Sequence, residues 1–291
     1  TTPESLESML MHNSSGAYKL FSDLRFVIID EMHYFMDNDR GLQLLCLLER
    51  LSRLIGFNPR RIGLSATLGD TTNAEKWLNT DSGRSCITPR THEKGRTLRL
   101  SVRFFPIKEK IPNSDSKILL QNYYDYLFES TWNKHCILFS NSKGEVEENI
   151  AHLKKIAAEK HLPANYLVHH ANISPALREF TEQKMRTAEQ PVCTGATVTL
   201  ELGIDLGKLE RIVQTGCPLT VSGLVQRLGR TGRRGGVAEM RFTFRWDMSL
   251  PPQEFYKEIN WDFVMCVSMI LLYTRERWIA PMYLPRLPYS L

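Results

Sequence analysis

The stretch RFVIIDEMH, residues 25–33, decides the fold. Its four consecutive apolar residues are too few for an amphipathic helix and are rich in strand formers, so they predict a buried strand of a parallel sheet. Asp30 and Glu31 follow directly. Because the carboxyl ends of parallel strands form the ligand crevice of an open α/β sheet, we expect both carboxylates to lie there. One could hold Mg²⁺ while the other orients a water for attack on phosphorus. The alternative is a solvated loop.

The composition bounds the class of protein. The 291 residues are 42% hydrophobic and 24% charged, which is typical of a globular protein long enough for two domains. The net charge of +5 suits a polyanionic partner without requiring one. Six scattered cysteines contain no C-x-x-C pair, which indicates neither a zinc site nor a disulfide framework and predicts a cytoplasmic setting. The longest apolar run, residues 263–272, is too short to span a bilayer and predicts a core helix and no membrane partner.

Strand and helix patterns alternate along the chain. Helical spacing occurs at residues 5–11, 41–55, 74–78, 145–160, 175–186 and from 224 towards 234, and short apolar runs predict strands at 61–64, 135–139, 166–170, 190–194 and 212–214. This alternation predicts α/β architecture with parallel sheets and right-handed crossovers. Residues 12–19 are interpreted as a polar connection. Over residues 84–103 the periodicity fades and basic residues gather, which indicates an interdomain connection or a nucleic-acid contact.

Small hydroxyl residues follow two of the predicted strands. Ser65 and Thr67 could hydrogen-bond the acidic pair or its histidine, or they could cap the next helix. Ser140 follows a later strand in the same way. At the start of the chain, Thr2 suits the cap of a helix whose first turn holds Pro3, and such a helix terminus can also bind backbone phosphates. The alternative there is a capped helix and nothing more.

A run of arginines and glycines, QRLGRTGRR, covers residues 226–234. Its glycines would let the backbone approach a ligand. Arg230 and Arg233 are three residues apart, so on a helical turn both guanidinium groups would point the same way. Planar bidentate groups of this kind stabilise the transition-state charge of a triphosphate as arginine fingers. The alternative is a solvated or nucleic-acid-facing basic surface.

The ordered set of short motifs resembles the superfamily-two helicases. These motifs are TTPES at residues 1–5, DEMH at 30–33, SAT at 65–67, FSNS at 139–142, TVTLELGID at 197–205 and QRLGRTGR at 226–233. The DEMH form, and ELGID together with His169 and His170, are most similar to the Lhr-like (large helicase-related) helicases, which are close to the Ski2-like ones. The resemblance implies two RecA-like parallel-sheet domains, with ATP and Mg²⁺ as cofactors and DNA or RNA as partner.

The resemblance also implies a role for each motif residue. Asp30 would hold Mg²⁺ beside Glu31, which would activate the attacking water, and His33 would couple the nucleotide to Gln226. Ser65, Ala66 and Thr67 would link hydrolysis to strand separation, Gly203 and Asp205 would touch the nucleotide, and Arg230 with Arg233 would supply the finger. The nucleic-acid track would include Thr2, Pro3, Ser140, Asn141, Thr197 and Thr199. Such contacts to phosphates and sugars position a strand but read no sequence.

The sequence also departs from the family pattern. No G-x-x-x-x-G-K-[ST] phosphate loop occurs in it. The resemblance therefore implies the later part of the first RecA-like domain at residues 1–95, the second RecA-like domain at 96–248, and a helical extension at 249–291 that leads toward a winged-helix domain. The expected packed face of the extension consists of Trp261, Phe263, Val264, Val267, Ile270, Leu271 and Trp278.

These observations predict the function of the parent protein. We expect an ATP-dependent helicase or translocase, and we expect residues 1–291 alone to be inactive because the phosphate loop is missing from them. Two alternatives are a catalytically degenerate nucleic-acid-binding scaffold and the motor subunit of a restriction or repair machine.

Overall fold

The chain forms two compact α/β units, one within Thr1–His92 and the other within Glu93–Arg277. The computed structural model describes residues 1–12, 14–36, 38–65, 71–80, 82–89, 97–107, 114–200, 206–232, 236–247 and 259–276. Parallel strands with flanking helices build both units, which confirms the α/β class and the two domains. Within the described residues, no helix is both long and apolar enough to cross a membrane.

The first unit contains a two-stranded parallel sheet. Its elements are α1 (Pro3–His12), α2 (Ser14–Phe21), β1 (Phe26–Ile29), a 3₁₀ turn (Met32–Tyr34), α3 (Asp39–Ile55), β2 (Arg60–Gly63) and α4 (Thr71–Leu78). Ile28 lies opposite Ile62 in the register of β1 and β2. The Asn38 side chain accepts a hydrogen bond from the Gly41 N–H and so caps α3. The residues interpreted as a polar connection instead include α2, because Ala17 packs against Leu47 of α3.

The described residues cover one face of this sheet. Ile29 packs with Leu48 of α3 and Trp77 of α4 in one buried cluster. On the other face, the side chains of Phe26 and Ile28 are 51% and 61% exposed. The parallel strand predicted from the sequence is confirmed, but its predicted burial is wrong for this face. The reason is that no helix among the described residues covers it.

The second unit contains a six-stranded sheet in which every strand pair is parallel. Its strand order is β3-β8-β7-β4-β6-β5. The elements are β3 (Leu98–Ile107), α5 (Ser114–Thr131), β4 (Cys136–Phe139), α6 (Lys143–Glu159), β5 (Tyr166–His169), α7 (Pro175–Thr187), β6 (Cys193–Ala196), a 3₁₀ turn (Val198–Leu200), β7 (Arg211–Thr215), α8 (Val221–Gly229), β8 (Ala238–Asp247) and α9 (Trp261–Leu271), followed by a π-helical turn (Leu272–Glu276).

Hydrophobic side chains cover both faces of this sheet. Along β4, Ile137 and Phe139 join one buried cluster, whereas Cys136 and Leu138 join the other. All four side chains are 0% exposed. This is the pattern of a parallel strand with helices on both sides, because successive side chains point to opposite faces.

Within the second unit, helix α9 packs against the hydrophobic cluster that contains Ile137 and Phe139. Its Cys266 is buried in the first of these clusters, and Phe263 and Ile270 pack beside it. The expected packed face was wrong in part, since Trp261, Val264 and Leu271 are 56%, 38% and 40% exposed. Trp278 lies outside the described residues. The 3.6-residue period places Phe263, Cys266 and Ile270 on one side of the helix, and the three exposed residues lie off that side.

Candidate functional site

The acidic pair lies where β1 ends, in a tight backbone geometry. Glu31 has φ 49° and ψ 45°, the left-handed region that is uncommon for residues other than glycine. Its N–H donates to Asp30 Oδ1 at 2.9 Å. The next residue is fixed by a hydrogen bond from the Met32 N–H to the Leu64 carbonyl at 2.9 Å. Strained backbone of this kind persists where the surroundings enforce it, and it is concentrated at functional sites.

His33 joins the ends of the two strands. Its Nδ1 lies 2.8 Å from Ser65 Oγ and 3.4 Å from Glu31 Oε2. The imidazole is 6% exposed. Of the two possibilities that the sequence raised for Ser65, the structure therefore has the hydrogen bond to the histidine. Ala66 and Thr67 lie outside the described residues.

The donor atoms at this strand end suit a hard cation. Asp30 is exposed, the Glu31 side chain is 29% exposed, and both present carboxylate oxygens. Within the described part of the chain, no three metal-binding side chains of His, Cys, Asp or Glu cluster together. Mg²⁺ is commonly held by one or two carboxylates together with substrate phosphates and waters, so Asp30 and Glu31 fit it.

In the second unit, the side chain of Ser140 is turned into the core. It is 0% exposed, and its Oγ accepts hydrogen bonds from Thr215 Oγ1 at 2.8 Å and from Asn149 Nδ2 at 3.3 Å. Asn141 next to it is exposed and donates to the Cys217 carbonyl at 2.8 Å. This burial favours a structural role for the Ser140 hydroxyl, while Asn141 remains accessible at the strand end.

The end of β6 carries the other predicted backbone contacts. Thr197 is half-buried and Val198 is 50% exposed. Thr199 Oγ1 lies 2.9 Å from Nδ1 of His169. Gly203 and Asp205 lie outside the described residues.

Helix α8 ends before the predicted arginine finger. Its last residue is Gly229, and Arg230 forms the C-cap. Gly232 then has φ 63°, and a Cβ there would lie 2.7 Å from the Ala238 nitrogen. The helical turn assumed for pairing Arg230 with Arg233 therefore does not extend to Gly232, and the close approach of the chain's own backbone accounts for a glycine at this position. Arg233 lies outside the described residues.

The arginine run is not a solvated surface in its described part. Gln226 and Arg230 are 6% and 9% exposed. Arg227 is 1% exposed, donates from Nη1 to Gln214 Oε1 and lies 4.6 Å from the centre of the Phe139 ring. Arg227 is therefore a core residue held by an amide and an aromatic face. The prediction of an exposed basic patch was wrong here.

Two family models match the chain, one in each unit. The model described as DEAD/DEAH box helicase matches residues 1–75, and the one described as Helicase conserved C-terminal domain matches residues 117–235. An ATP-dependent helicase Lhr-Core from Methanocaldococcus jannaschii is 35% identical over 237 residues, an alignment that covers 80% of this chain and 26% of the relative. The chain belongs to the superfamily 2 helicases, in their Lhr-like group.

Further relatives agree with this Lhr-like assignment. The Escherichia coli Lhr helicase/uracil glycosylase is 29% identical over 280 residues, covering 83% of this chain and 18% of the relative. The solved structure of Mycobacterium smegmatis helicase Lhr bound to ssDNA and AMP-PNP matches with a TM-score of 0.76 and 27% identity, over 98% of this chain and 35% of that one. The chain spans about a quarter or less of the length of these curated relatives.

One polar cluster of this Lhr-like chain was missed by sequence reasoning. Near the end of β8, Arg245 lies 4.0 Å from Glu145 Oε1 and 3.9 Å from Glu148 Oε1, and Tyr124 Oη donates to Glu148 Oε1 at 2.7 Å. Burial raises the pKa of the Glu145 carboxyl, although hydrogen bonding to Thr215 and the charge of Arg245 act against it. No local sequence signal marks the cluster, because its members come from α5, α6 and β8.

Proposed function

We propose that a full-length protein containing this sequence is an ATP-dependent helicase or translocase that moves along DNA or RNA. The observation that carries the proposal is the acidic strand end of the first unit, where the strained Glu31 lies beside a buried His33 that is hydrogen-bonded to Ser65. A carboxylate held in one place next to an imidazole is suited to orient a water and accept its proton. The geometry supports hydrolysis of a phosphoanhydride.

The proposed roles follow from what each side chain can do. Asp30 would hold Mg²⁺ on the ATP phosphates, with Glu31 beside it. When bound, Mg²⁺ neutralises phosphate charge. Glu31 would orient the water and take its proton, and the His33–Ser65 hydrogen bond would transmit the state of that site to the end of β2. The proposed nucleotide contacts of the second unit are Gly203 and Asp205, with Arg230 and Arg233 as the finger, and His33 would couple the nucleotide site to Gln226.

The proposed nucleic-acid contacts are mainly polar groups at element ends. Thr2 lies at the start of α1, where its Oγ1 accepts from the Ser5 N–H at 3.3 Å, and Pro3 follows it. Asn141 and Thr197 lie at the ends of β4 and β6. Hydroxyl, amide and backbone N–H groups in such positions suit phosphate oxygens, whose recognition carries no base sequence.

The first test is Glu31→Gln in the full-length protein. We expect the nucleic-acid-stimulated rate of ATP hydrolysis to fall by roughly 10²-fold or more, because an amide cannot accept the proton, while ATP binding is retained. Phosphate release and nucleotide binding are measured separately. The matched control is Glu49→Gln, which makes the same change on the exposed face of α3. Hydrolysis by the Glu31 variant at the parent rate would remove Glu31 from this role.

The chain alone provides a second reference for the same assay. We expect residues 1–291 to hydrolyse ATP poorly, because no phosphate-loop motif occurs among them. Vigorous stimulated hydrolysis by this chain would contradict that expectation. A full-length protein that binds nucleic acid but never hydrolyses ATP would instead favour the degenerate scaffold, and activity only within a complex would favour the motor of a restriction or repair machine.

A further inference from the structure

Three side chains form a hydrogen-bonded chain at the ends of β5 and β6. Thr199 Oγ1 lies 2.9 Å from His169 Nδ1, and His169 Nε2 lies 3.0 Å from Glu182 Oε1 on α7. The same hydroxyl lies 3.2 Å from the His169 carbonyl oxygen. His169 is 2% exposed and the Glu182 side chain is 23% exposed. The imidazole therefore connects the turn after β6 to a partly exposed carboxylate on α7.

Counting protons shows what the Thr199 hydroxyl can still offer. Nε2 faces a carboxylate, so it carries a proton and donates it to Glu182. If Nδ1 carries no proton, the Thr199 O–H points to it. If Nδ1 is protonated, it donates to Oγ1, and the O–H points to the His169 carbonyl. In both cases the single hydroxyl hydrogen of Thr199 is directed to an atom of His169, so Thr199 has none to donate to a phosphate, whose oxygens only accept.

The residues before Thr199 are more exposed than the residue after it. In the 3₁₀ turn Val198–Leu200, Leu200 is 0% exposed and anchors the far end, whereas Val198 is 50% exposed. Thr197, just before the turn, and Thr199 are both half-buried. Because the Thr199 hydroxyl is turned to His169 and Leu200 is buried, the groups left to face outward among the described residues of this strand end are Thr197, Val198 and the main chain between them.

We propose that His169 and Glu182 are positioning residues that hold Thr199 inward, so that Thr197 and the main chain of the turn contact the nucleic-acid backbone. This rests on the proposed function, and it replaces the direct phosphate contact predicted for Thr199. The Glu182 carboxylate fixes the His169 ring, and the ring fixes the Thr199 hydroxyl. The position of the hydroxyl in turn fixes the 3₁₀ turn. If any of these three side chains is removed, the turn is free to move, and nucleic-acid binding must then provide the free energy that orders it.

The test uses the full-length protein and a single strand of about 20 nucleotides, in DNA and RNA forms, a length that exceeds typical site sizes. The nucleic-acid concentration that gives half-maximal ATP hydrolysis, the rate at saturation and the KM for ATP are measured together. For His169→Ala, Thr199→Val and Glu182→Leu, we expect that concentration to rise roughly tenfold, the effect of one positioning hydrogen bond. The saturated rate and the KM for ATP should stay within about twofold.

Two further variants separate positioning from loss of structure. Glu182→Gln keeps an acceptor oxygen for Nε2 and should restore near-parent behaviour. The double variant His169→Ala with Thr199→Val should be no worse than either single variant, because both act through one hydrogen bond. Glu182→Leu is expected to fold, since Met185 and Thr181 already fix α7 against the sheet, at 1% and 4% exposure.

The matched control is His170→Gln. His170 is the next residue, is 3% exposed, and also donates to a carboxylate, Glu147 Oε1 at 2.9 Å. Among the described residues it makes no hydrogen bond to the turn. For this variant, we expect the nucleic-acid concentration that gives half-maximal ATP hydrolysis to match that of the parent. If His169→Ala leaves that concentration unchanged while Thr199→Val raises it, Thr199 contacts the strand itself and the inference is wrong. If the parent shows no nucleic-acid-stimulated hydrolysis, the proposed function fails, and this inference falls with it.

Discussion

Two strands of four residues, both wholly apolar, have different surroundings. β1 has the sequence FVII and β4 has CILF. Every side chain of β4 is 0% exposed, whereas Phe26 and Ile28 of β1 are 51% and 61% exposed. The difference comes from the sheets. Strand β4 lies between β7 and β6 and has hydrophobic clusters on both faces, whereas β1, within the described residues, pairs with β2 alone and is covered on one face. A short apolar run thus predicts a strand, and its neighbours determine the burial.

The largest expected effect comes from a substitution in β4, the buried strand of the two. Leu138→Ala in β4 should lower the unfolding free energy of the second unit by about 3 kcal/mol, because it leaves a cavity in a filled core. The matched variant Ile28→Ala in β1 should cost less than about 1 kcal/mol, since that side chain is already in water. Hydrogen exchange measured peptide by peptide reports each unit separately. Equal losses in the two units would show that Ile28 is covered in solution.

The next effect compares ion pairs in the two units. Arg211, with its side chain 10% exposed, donates from Nε to Glu239 Oε1 at 2.9 Å. Burial alone would raise the pKa of Glu239, but the hydrogen bond and charge of Arg211 hold it below its ordinary value. Glu239→Gln should cost about 2 kcal/mol by leaving a buried guanidinium without its counter-charge.

The corresponding variant in the first unit is Glu49→Gln. It removes the partner of Arg53, whose side chain is 79% exposed, and we expect a loss of under about 0.5 kcal/mol. The same exchange experiment measures both variants. A Glu239→Gln loss as small as that of Glu49→Gln would mean that solvent screens Arg211 as well.

Features of the structure that are determined by residues close together in the sequence were predicted better than features that depend on distant residues. The strands β1, β2 and β4 to β7 were found within a few residues of their observed bounds, because each lies in or beside a short stretch that contains strand-forming apolar residues. The Ser65–His33 bond was one of the possibilities foreseen, since both residues follow strand ends. In contrast, β8 was missed although its residues alternate, with Met240, Phe242 and Phe244 inward. Charged residues between them concealed the pattern.

Long-range partners account for the remaining differences. Arg227 can be buried because its guanidinium donates a hydrogen bond to Gln214 and lies over the ring of Phe139, and neither residue is near it in sequence. The bonds that tie Glu182 and Thr199 to His169 likewise join three separate elements. Propensity and spacing describe single elements, so they cannot assign such contacts. The sequence therefore predicted the positions of most strands better than it predicted which polar side chains serve the core.

The smallest expected effect concerns the exposed pair that links α1 to α3. Arg40 Nε donates to Glu4 Oε1 at 2.7 Å and its Nη2 to Oε2 at 3.2 Å, and this hydrogen bonding lowers the pKa of Glu4 from 4.5 to about 2. Because the folded pKa is the lower one, the stabilisation is present above pH 4.5 and is lost as the pH falls through about 2. Carboxyl NMR should place the Glu4 midpoint near 2, and Arg40→Gln should return it towards 4.5. A parent midpoint already near 4.5 would show that this two-hydrogen-bond contact does not persist in water. Such a result would increase the contrast between this exposed ion pair of the first unit and the buried Arg211–Glu239 pair of the second.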